Sequence, residues 1–457
     1  MYLERSQTLD ADKIPLTYQQ GWVWQLRDEY SNWRCFVAHA FQLDGMLDVN
    51  ALRRSCEEIV RRHGSLRFRV AIEKNAPSLY KHPSLAVSLE PQPIAGTDES
   101  QIELQSMRLL ERCANRQLHP GGPLARFKLF RFTDNKHCLM VVIHRLVADC
   151  NSIEQLFREL WVTYADLHVG RPSPLQANVP QYSDYAVSQF QLRLDWQKKH
   201  GEYWTKRLAD AKALSWPRGR EYASTVQGTI GRVRCQLPEA LTKEIHALGR
   251  DLRTLTANVM LAVFAAVLRF WCRQDDFIIP FKIAGRRAEH RSIVGNFTQI
   301  LYLRVQLNGD ETFAELVSNV GNEFFRALAH QDFGLMASQY PEFLHGTFFQ
   351  WVTCQAQFVP SAAELSGLKV KRVTLAKFGE DHTAVPPGMV NVEMTFFDTP
   401  EGIYASGVYR ADRFSPAVME QFVADLRSAA EGFVRDPQAL VVRTIPKLSD
   451  PGDVTAC

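Results

Sequence analysis

The chain has 457 residues, of which 46% are apolar and 23% are charged. Its 53 Lys and Arg residues nearly balance its 50 Asp and Glu residues, so the net charge is +3. This balance argues against a nucleic-acid or membrane binder, because such binding depends on concentrated positive charge. The length predicts about two or three domains that can bury a large core.

Nine cysteines are scattered along the chain, and none forms a CxxC pair. Neither a zinc site nor a redox pair is indicated, and such cysteines are typical of a reducing cytoplasm. The first residues contain no apolar run, which argues against a signal peptide. The longest apolar stretch, Leu255–Trp271, contains Thr, Asn and Arg and predicts a buried helix. We therefore expect a cytoplasmic protein.

The first predicted helix follows Asp48, whose carboxylate can cap it. Apolar side chains at helical spacing form one face of this helix: Leu52, Cys56, Ile59 and Val60. Further along the chain, the apolar and β-branched run His137–Ala148 predicts a strand.

A tight turn and a second helix are predicted after this strand. Ser152 and Gln155 have the spacing of a capping box. The apolar face of the helix is formed by Leu156, Phe157, Leu160, Trp161 and Tyr164. The pattern is therefore strand, turn and helix, with His144, Arg145 and Asp149 at the junction.

Two proline-containing stretches, Arg171–Gln181 and Ser215–Gly228, flank a charged segment of helical character. We interpret this region as a bridge between two lobes. The predicted N-terminal lobe comprises residues 1–175, the bridge 176–228, the C-terminal lobe 229–450 and a polar tail 451–457. Both lobes mix strands and helices, so the predicted fold class is α/β (α+β).

The C-terminal lobe contains a buried helix predicted over Thr254–Arg273. Two strands, a further helix and a hairpin follow this helix. They are Phe277–Ile283 and Leu301–Leu307, then Phe313–Ala329, then Val390–Phe397 and Gly402–Tyr409 with a turn at Asp398–Gly402.

The His144–Asp149 turn is the best candidate for chemistry, because a loop at a strand end can aim side chains while the sheet holds them. The alternative is structural: His144 would be a satisfied histidine at a strand end and Asp149 a helix-start residue. GxGxxG, Walker, HExxH and GxSxG motifs are absent from the sequence, so neither a nucleotide nor a metal cofactor is indicated.

Seven short motifs follow one another along most of the chain. They are LTYQQGWVWQL (Leu16–Leu26), RRHGSLRFRV (Arg61–Val70), IHRLVADCNS (Ile143–Ser152), YSDYAV (Tyr182–Val187), IVGNFTQILYLR (Ile293–Arg304), HQDFGL (His330–Leu335) and GTFFQ (Gly346–Gln350). In this order they resemble the motifs of the condensation domains of nonribosomal peptide synthetases, which share the chloramphenicol-acetyltransferase-like fold. Trp22 and Gln299 stand where that family usually has Arg and Asn.

The resemblance implies two lobes of similar fold in a V-shaped pseudo-dimer, with the His144 motif in the cleft between them. Acyl or peptidyl carrier proteins would dock on opposite faces. Their phosphopantetheine arms would enter a tunnel to which Cys150, Gly295 and Gln299 belong. A donor thioester would be attacked by an acceptor amine or hydroxyl, giving an amide or an ester in natural-product biosynthesis. The resemblance implies no bound cofactor, metal, nucleic acid or membrane.

The active-site motif of the resembled family is H-H-x-x-x-D-G, and this chain departs from it twice. Arg145 occupies the place of the second, working histidine, and Cys150 occupies the place of the glycine. Arginine stays protonated and has no lone pair, so Arg145 cannot act as a general base. It could stabilise an oxyanion, position an anionic group of the substrate or fill the mouth of the tunnel. A neutral amine could also attack a held thioester unaided, because proximity removes much of the barrier.

The same motif implies roles for two further residues. His144 could replace the missing base. Alternatively it is a core histidine hydrogen-bonded to the backbone, since neighbours on a strand point to opposite faces. Asp149 is expected to be structural and to form a salt bridge to Arg286, which would otherwise be a plain surface arginine.

The X-domains of glycopeptide synthetases also resemble this chain, because they carry His-Arg in the same motif. They form no bond and recruit cytochrome P450 oxygenases to a carrier-bound peptide. Three functions therefore stay open. They are a condensation enzyme with a degenerate motif, a non-catalytic domain that recruits a tailoring enzyme or carrier protein, and an acyltransferase using acyl-CoA or acyl carrier protein. The sequence holds no adenylation or carrier region, so we expect a free-standing protein or an excised domain.

Overall fold

The computed structural model describes residues 13–29, 35–73, 76–94, 101–115, 121–176, 178–216, 230–334, 339–353, 365, 367–373 and 389–444. The predicted tail 451–457 and most of the stretch Ser215–Gly228 lie outside these residues. The chain divides into two compact units. Unit 1 comprises Met1–Arg193, Ala284–Thr298 and Gln357–Ala384, and unit 2 comprises Leu194–Ile283, Gln299–Ala356 and Val385–Cys457. The limits proposed above for lobes, bridge and tail stay predictions.

The described part of the chain forms helices and strands in both units. The helices are α1 (Tyr18–Glu29), α2 (Val49–Arg62), α3 (Ile102–Asn115), α4 (Cys150–His168), α5 (Tyr182–Leu208), α6 (Glu239–Asp251), α7 (Thr256–Cys272), α8 (Phe313–Ala329), α9 (Pro416–Arg435) and α10 (Val441–Thr444). The strands are β1 (Phe36–Asp44), β2 (Phe68–Glu73), β3 (Ala76–Lys81), β4 (Gln92–Pro93), β5 (Ala125–Thr133), β6 (Lys136–His144), β7 (Ile230–Gln236), β8 (Asp276–Ile283), β9 (Gln299–Gln306), β10 (Thr347–Thr353), β11 (Lys369–Val373), β12 (Val392–Thr399) and β13 (Gly402–Arg410).

Unit 1 contains a five-stranded sheet in the order β11-β1-β6-β5-β4 and a separate β2-β3 pair. Strands β4 and β5 are parallel, and the other neighbours in the larger sheet are antiparallel. Helix α3 packs on one face of this sheet. On the other face, Phe157 of α4 meets Phe41 of β1 edge-on at 4.7 Å between ring centroids. The central strand β6 is therefore covered on both faces, which explains its continuous apolar sequence.

The start of α4 differs from the prediction. Strand β6 ends at His144, and Arg145–Val147 form a turn. The predicted Ser152–Gln155 capping box was wrong. Asp149 is the cap, because its carboxylate accepts a hydrogen bond from the backbone N–H of Ser152, and α4 therefore begins at Cys150. The predicted cap at Asp48 is confirmed, since its side chain accepts from the N–H of Ala51.

Unit 2 contains a six-stranded sheet in the order β7-β13-β12-β10-β8-β9. Strand β10 is parallel to β8 and β12, and the remaining pairs are antiparallel. Helix α7 packs against this sheet, where the Phe264 ring lies 5.5 Å from Phe349 and 6.3 Å from Phe396. Helices α6, α8 and α9 contact α7 in turn, so its residues from Asn258 to Leu268 are all buried.

The predicted elements of this region are largely confirmed. The helix Phe313–Ala329 has the predicted limits, and β12 and β13 form the predicted antiparallel hairpin. The buried helix is shorter at each end than the predicted Thr254–Arg273. It begins at Thr256 and ends at Cys272, and Arg273 caps it in the left-handed conformation. Within the described residues no single helix is long and apolar enough to span a membrane. Helices α6 and α7 meet that test only as a pair, and they are bent by 107°.

Candidate functional site

His144 stabilises the turn that follows β6. Its side chain is buried, and its Nδ1 accepts a hydrogen bond from the backbone N–H of Leu146 at 3.1 Å. Its carbonyl accepts from the N–H of Val147 at 3.0 Å. Because Nδ1 is an acceptor, the geometry assigns the proton of the neutral ring to Nε2. This hydrogen bond is the kind expected of a core histidine bonded to backbone, and the role of His144 as a replacement base stays a prediction.

The Asp149 carboxylate joins the turn to α4 and to the segment 284–298. Its Oδ1 accepts from the Ser152 N–H at 2.8 Å and from Arg286 Nη2 at 2.7 Å. Its Oδ2 accepts from the Phe297 N–H at 3.0 Å. The Arg286 and Asp149 side chains are only 6% and 4% exposed. The ion pair predicted between Asp149 and Arg286 is therefore present, and it is buried.

Ser152 belongs to this cluster, although the sequence analysis assigned it only a capping role. Its buried hydroxyl lies 2.6 Å from Arg286 Nη2, 2.8 Å from Asp149 Oδ1 and 2.7 Å from the Gly295 carbonyl oxygen. It also accepts from the Gly295 N–H at 3.0 Å. The hydroxyl thus connects the first turn of α4 to segment 284–298. The available signal was its position three residues after a capping aspartate.

Arg286 also orders its own segment. Its Nη1 donates to the carbonyl oxygens of His290 at 2.9 Å and Ile293 at 2.7 Å. Its guanidinium lies over the Phe297 ring, 4.3 Å from the centroid. A planar fork of donors suits this arrangement, which a lysine could not reproduce.

Gly295 packs directly against the ring of Tyr182, so two of the motifs quoted above meet here. A Cβ at residue 295 would lie 1.8 Å from Tyr182 Cδ2, which leaves no room for any side chain. The Tyr182 hydroxyl donates to the Asn296 carbonyl oxygen. Burial raises the pKa of Tyr182 well above its usual value, so this hydroxyl stays neutral and can donate.

The variant Gly295→Ala is expected to lose about 1–3 kcal/mol of unfolding free energy, because the enclosed Tyr182 ring must move. Urea unfolding measures this loss. The matched control is Gly249→Ala in α6, where the nearest atoms to the new Cβ would lie at 3.5 Å. This control should be neutral or slightly more stable than the wild type. Equal stability of the two variants would contradict the packing argument.

The other predicted site residues have the following positions. Arg145 follows His144 in the turn and is half-buried, and its backbone N–H donates to the Cys35 carbonyl at 2.8 Å. Cys150 is exposed as the first residue of α4. Gln299 belongs to unit 2, where it pairs with Ile283 at the start of β9. The catalytic and tunnel roles proposed for these residues stay predictions.

A second buried cluster fixes the end of α2 on α4. Glu159 Oε2 lies 2.7 Å from His63 Nε2 and 3.1 Å from Arg62 Nε. Gln155 Nε2 donates to Glu159 Oε1 at 3.0 Å. Burial alone would raise the pKa of Glu159. The hydrogen bonds from His63 and Gln155 and the charge of Arg62 outweigh that effect, so its pKa lies below the ordinary value of 4.5.

This shift predicts a pH-dependent stability difference between the wild type and Glu159→Gln. Because the folded-state pKa is lowered, the wild-type advantage is fully present above pH 4.5 and is lost as pH falls through the folded-state pKa. Thermal melts from pH 3 to pH 7, roughly the span that brackets carboxyl titration, measure it. Glu202→Gln is the control. A hydrogen bond from Lys206 lowers the pKa of Glu202 in the same direction, but the two side chains are 75% and 77% exposed, so solvent screening should make its pH-dependent difference much smaller. An advantage that is constant over the pH range would contradict this prediction.

Polar groups of the turn are already engaged in hydrogen bonds or lack a lone pair. Asp149 is saturated with donors, the Nδ1 lone pair of His144 is engaged, and the guanidinium of Arg145 has no lone pair. A fixed cation beside a reacting carbonyl can stabilise the oxyanion that develops there. Within the described ranges, no group of three or more His, Cys, Asp or Glu side chains is placed to hold a metal ion.

Comparison with known sequences gives one family over nearly the whole chain. The sequence profile of the condensation domain matches residues 10–450. The chain is 26% identical to a linear gramicidin synthase protein of Brevibacillus parabrevis over 445 residues, which are 96% of this chain and 6% of that protein. It is 29% identical to chondramide synthase of Chondromyces crocatus over 326 residues, 70% of this chain and 8% of that protein. The chain thus spans less than a tenth of these relatives.

Solved structures with the same fold include three informative examples. The X-domain from teicoplanin biosynthesis has a TM-score of 0.79 at 22% identity, covering 96% of this chain and 98% of that one. The condensation domain from the Monacolin K polyketide synthase MokA has a TM-score of 0.76 at 16% identity, covering 94% of this chain and 99% of that one. The SgcC5 protein from Streptomyces globisporus has a TM-score of 0.74 at 22% identity, covering 93% of this chain and 100% of that one.

These matches confirm the predicted fold class, a mixed α/β fold of the chloramphenicol-acetyltransferase-like type. The chain belongs to the condensation-domain family. The family resemblance inferred from the seven motifs is therefore confirmed.

Proposed function

We propose that this chain is a condensation-type acyltransferase. It joins an acyl or aminoacyl thioester on a carrier protein to an amine or hydroxyl acceptor in natural-product biosynthesis. The observation that supports this most is the buried Asp149–Arg286 pair, which keeps the turn of the family motif in place although its second histidine is replaced. Removing one partner of a buried ion pair is strongly destabilising, so this pair holds the turn of the motif in one conformation.

With an amine acceptor, the proposed reaction needs no base from the protein. The neutral acceptor nitrogen forms a bond to the thioester carbonyl carbon, and the carbonyl electrons move onto oxygen. Arg145 stabilises this oxyanion by its positive charge. Collapse of the intermediate breaks the C–S bond, and water carries the excess amine proton to the departing thiolate of the phosphopantetheine arm. The acceptor amine must be unprotonated when it attacks, because this mechanism takes no base from the turn.

Carrier proteins are the proposed partners, and the phosphopantetheine arm is a substrate carrier rather than a bound cofactor. Condensation domains act on such arms, and this chain belongs to their family. We place the protein in the cytoplasm with its carriers and assign it neither nucleic acid nor membrane as a partner. A related acyltransfer from acyl-CoA would use the same turn chemistry.

A second candidate function rests on the same turn. His144 is bonded to backbone and Arg145 replaces the working histidine, so the chain could act as a non-catalytic X-type domain. The teicoplanin X-domain was solved in complex with OxyB. In that case this chain would hold a carrier-bound substrate and recruit a tailoring enzyme such as a cytochrome P450.

Reconstitution distinguishes the two candidates. Carrier proteins encoded with this chain are loaded with acyl and aminoacyl thioesters, and the masses of their phosphopantetheine arms are followed by mass spectrometry. The acyltransferase proposal predicts that the acyl group moves from one arm to the other only when this chain is present. The X-type alternative predicts unchanged arms together with a complex between this chain and the oxygenase. Unchanged arms would therefore overturn the first proposal.

A further inference from the structure

Three consecutive peptide groups around Arg145 each make a defined hydrogen bond. The N–H of Arg145 donates to the Cys35 carbonyl at 2.8 Å, and the N–H of Leu146 donates to His144 Nδ1 at 3.1 Å. The carbonyl oxygen of Leu146 accepts from Gln20 Nε2 at 2.7 Å. The first two bonds come from the strand region and the turn itself. The third comes from α1, more than a hundred residues earlier in the chain.

The side chain of Gln20 is itself held at both ends. It is fully buried, with 0% exposure. Its Oε1 accepts from the backbone N–H of Thr17 at 3.1 Å, while its Nε2 donates to Leu146. A buried amide that is bonded at both ends cannot rotate without leaving polar groups unsatisfied. Gln20 therefore fixes the plane of the peptide that follows Leu146.

The same network continues to the other end of the motif. The Thr17 hydroxyl lies 2.9 Å from the Tyr182 hydroxyl, and Tyr182 donates to the Asn296 carbonyl oxygen. The next residue, Phe297, donates its backbone N–H to Asp149. The turn is thus fixed by Gln20 near Arg145 and by segment 284–298 at Asp149.

We propose that Gln20 is a positioning residue for Arg145, acting through the carbonyl oxygen of Leu146. This inference rests on the proposed acyltransferase function, because it assigns Gln20 the task of aiming the Arg145 charge at the reacting carbonyl. Catalysis depends steeply on such geometry, since displacement of a catalytic group by about 1 Å can cost a hundredfold in rate.

The chain offers a closely matched control in Gln189 of α5. Gln189 is 4% exposed, and its Oε1 accepts from the backbone N–H of Tyr18 at 2.7 Å. Its Nε2 donates to the Tyr185 hydroxyl at 2.9 Å. Like Gln20, it is a buried glutamine bonded to backbone at the start of α1, but its Nε2 donates to the Tyr185 hydroxyl and to Gln19 Oε1, at 3.2 Å, rather than to the turn. The variants Gln20→Met and Gln189→Met should therefore lose comparable stability.

The test compares these two variants in two measurements below their melting temperatures. In the carrier-loaded transfer assay, Gln20→Met should lower kcat about tenfold to a hundredfold with a smaller change in KM, and Gln189→Met should stay near the wild type. In hydrogen–deuterium exchange, the amides of residues 145–147 should exchange faster in Gln20→Met only. Equal turnover in the two variants, or unchanged exchange in Gln20→Met, overturns the inference.

A third variant adds a pH readout that a purely structural role would not give. In Gln20→Glu, the protonated carboxyl can donate to the Leu146 oxygen, whereas the carboxylate cannot. Its kcat should therefore fall relative to the wild type as pH rises through the pKa of the new carboxyl, while its folded fraction stays high. If the wild type shows no transfer at all, the proposed function fails, and the positioning role fails with it. A different outcome would overturn the positioning role alone. In that outcome the wild type transfers the acyl group, but the ratio of the Gln20→Glu kcat to the wild-type kcat does not change with pH.

Discussion

Arg145→Ala is expected to lower turnover of a carrier-bound thioester by about a hundredfold to a thousandfold, the usual cost of removing one oxyanion-stabilising group. In the proposed mechanism the turn supplies a cation rather than a base, and this variant removes that cation. The variant should keep the wild-type fold, because the Arg145 side chain is only half-buried and the backbone N–H of this residue is hydrogen-bonded to the Cys35 carbonyl. The measurement is the rate of thioester loss, followed by the mass of the carrier arm, with thermal melts as the folding check.

Two further substitutions separate charge from bulk at this position. Arg158→Ala, on the exposed side of α4, is the matched control and should leave turnover unchanged. Arg145→His restores the second histidine of the family motif. We expect it to keep activity and to gain a decline below about pH 6.5, where a histidine base becomes protonated. Normal turnover by Arg145→Ala would remove Arg145 from the mechanism.

Asp149→Ala is expected to lower the free energy of unfolding by about 3–5 kcal/mol, because it leaves the buried Arg286 charge without its partner. The side chains are only 6% and 4% exposed, so solvent screens the pair little. The variant also removes the cap of α4, since Asp149 accepts from the Ser152 N–H. Chemical denaturation measures the loss whether or not the protein is an enzyme.

An exposed pair in the same unit provides the control for this prediction. Lys371 and Glu103 lie 2.8 Å apart, but their side chains are 58% and 41% exposed. Glu103→Ala should therefore cost no more than about 1 kcal/mol. The double variant Asp149→Ala/Arg286→Met should recover part of the loss, because no unpaired charge stays buried. An unchanged melting temperature of Asp149→Ala would refute the structural role of the pair.

Local patterns in the sequence predicted the helices and caps that depend on residues close together in the chain. The helix Phe313–Ala329 follows from its periodicity, and the cap at Asp48 follows from the short aspartate before an apolar face. The apolar run from His137 predicted a strand but not its end. That end depends on hydrogen bonds made by the backbone of Arg145 and Leu146, which apolar character cannot show.

Only the site residues that lie in the family motifs could be predicted from the sequence. Asp149 and Arg286 came from the resemblance, and the structure shows their ion pair. The contacts of Ser152 with segment 284–298, and the packing of Gly295 on Tyr182, join residues far apart in the chain. Such contacts are decided by tertiary packing, and one sequence contains no signal that pairs them. The pairing of β11 with β1 was missed for the same reason.

The most direct test of the central claim is made in the producing cell. The gene is deleted, and the metabolite that disappears is identified by mass spectrometry. The deletion strain is then complemented with the wild type or with the double variant His144→Ala/Arg145→Ala, after the variant is shown to be soluble and folded. We predict that only the wild type restores the metabolite, because the turn acts on the substrate arm. Equal restoration by the double variant would contradict this account and would mean that the protein works through its surface.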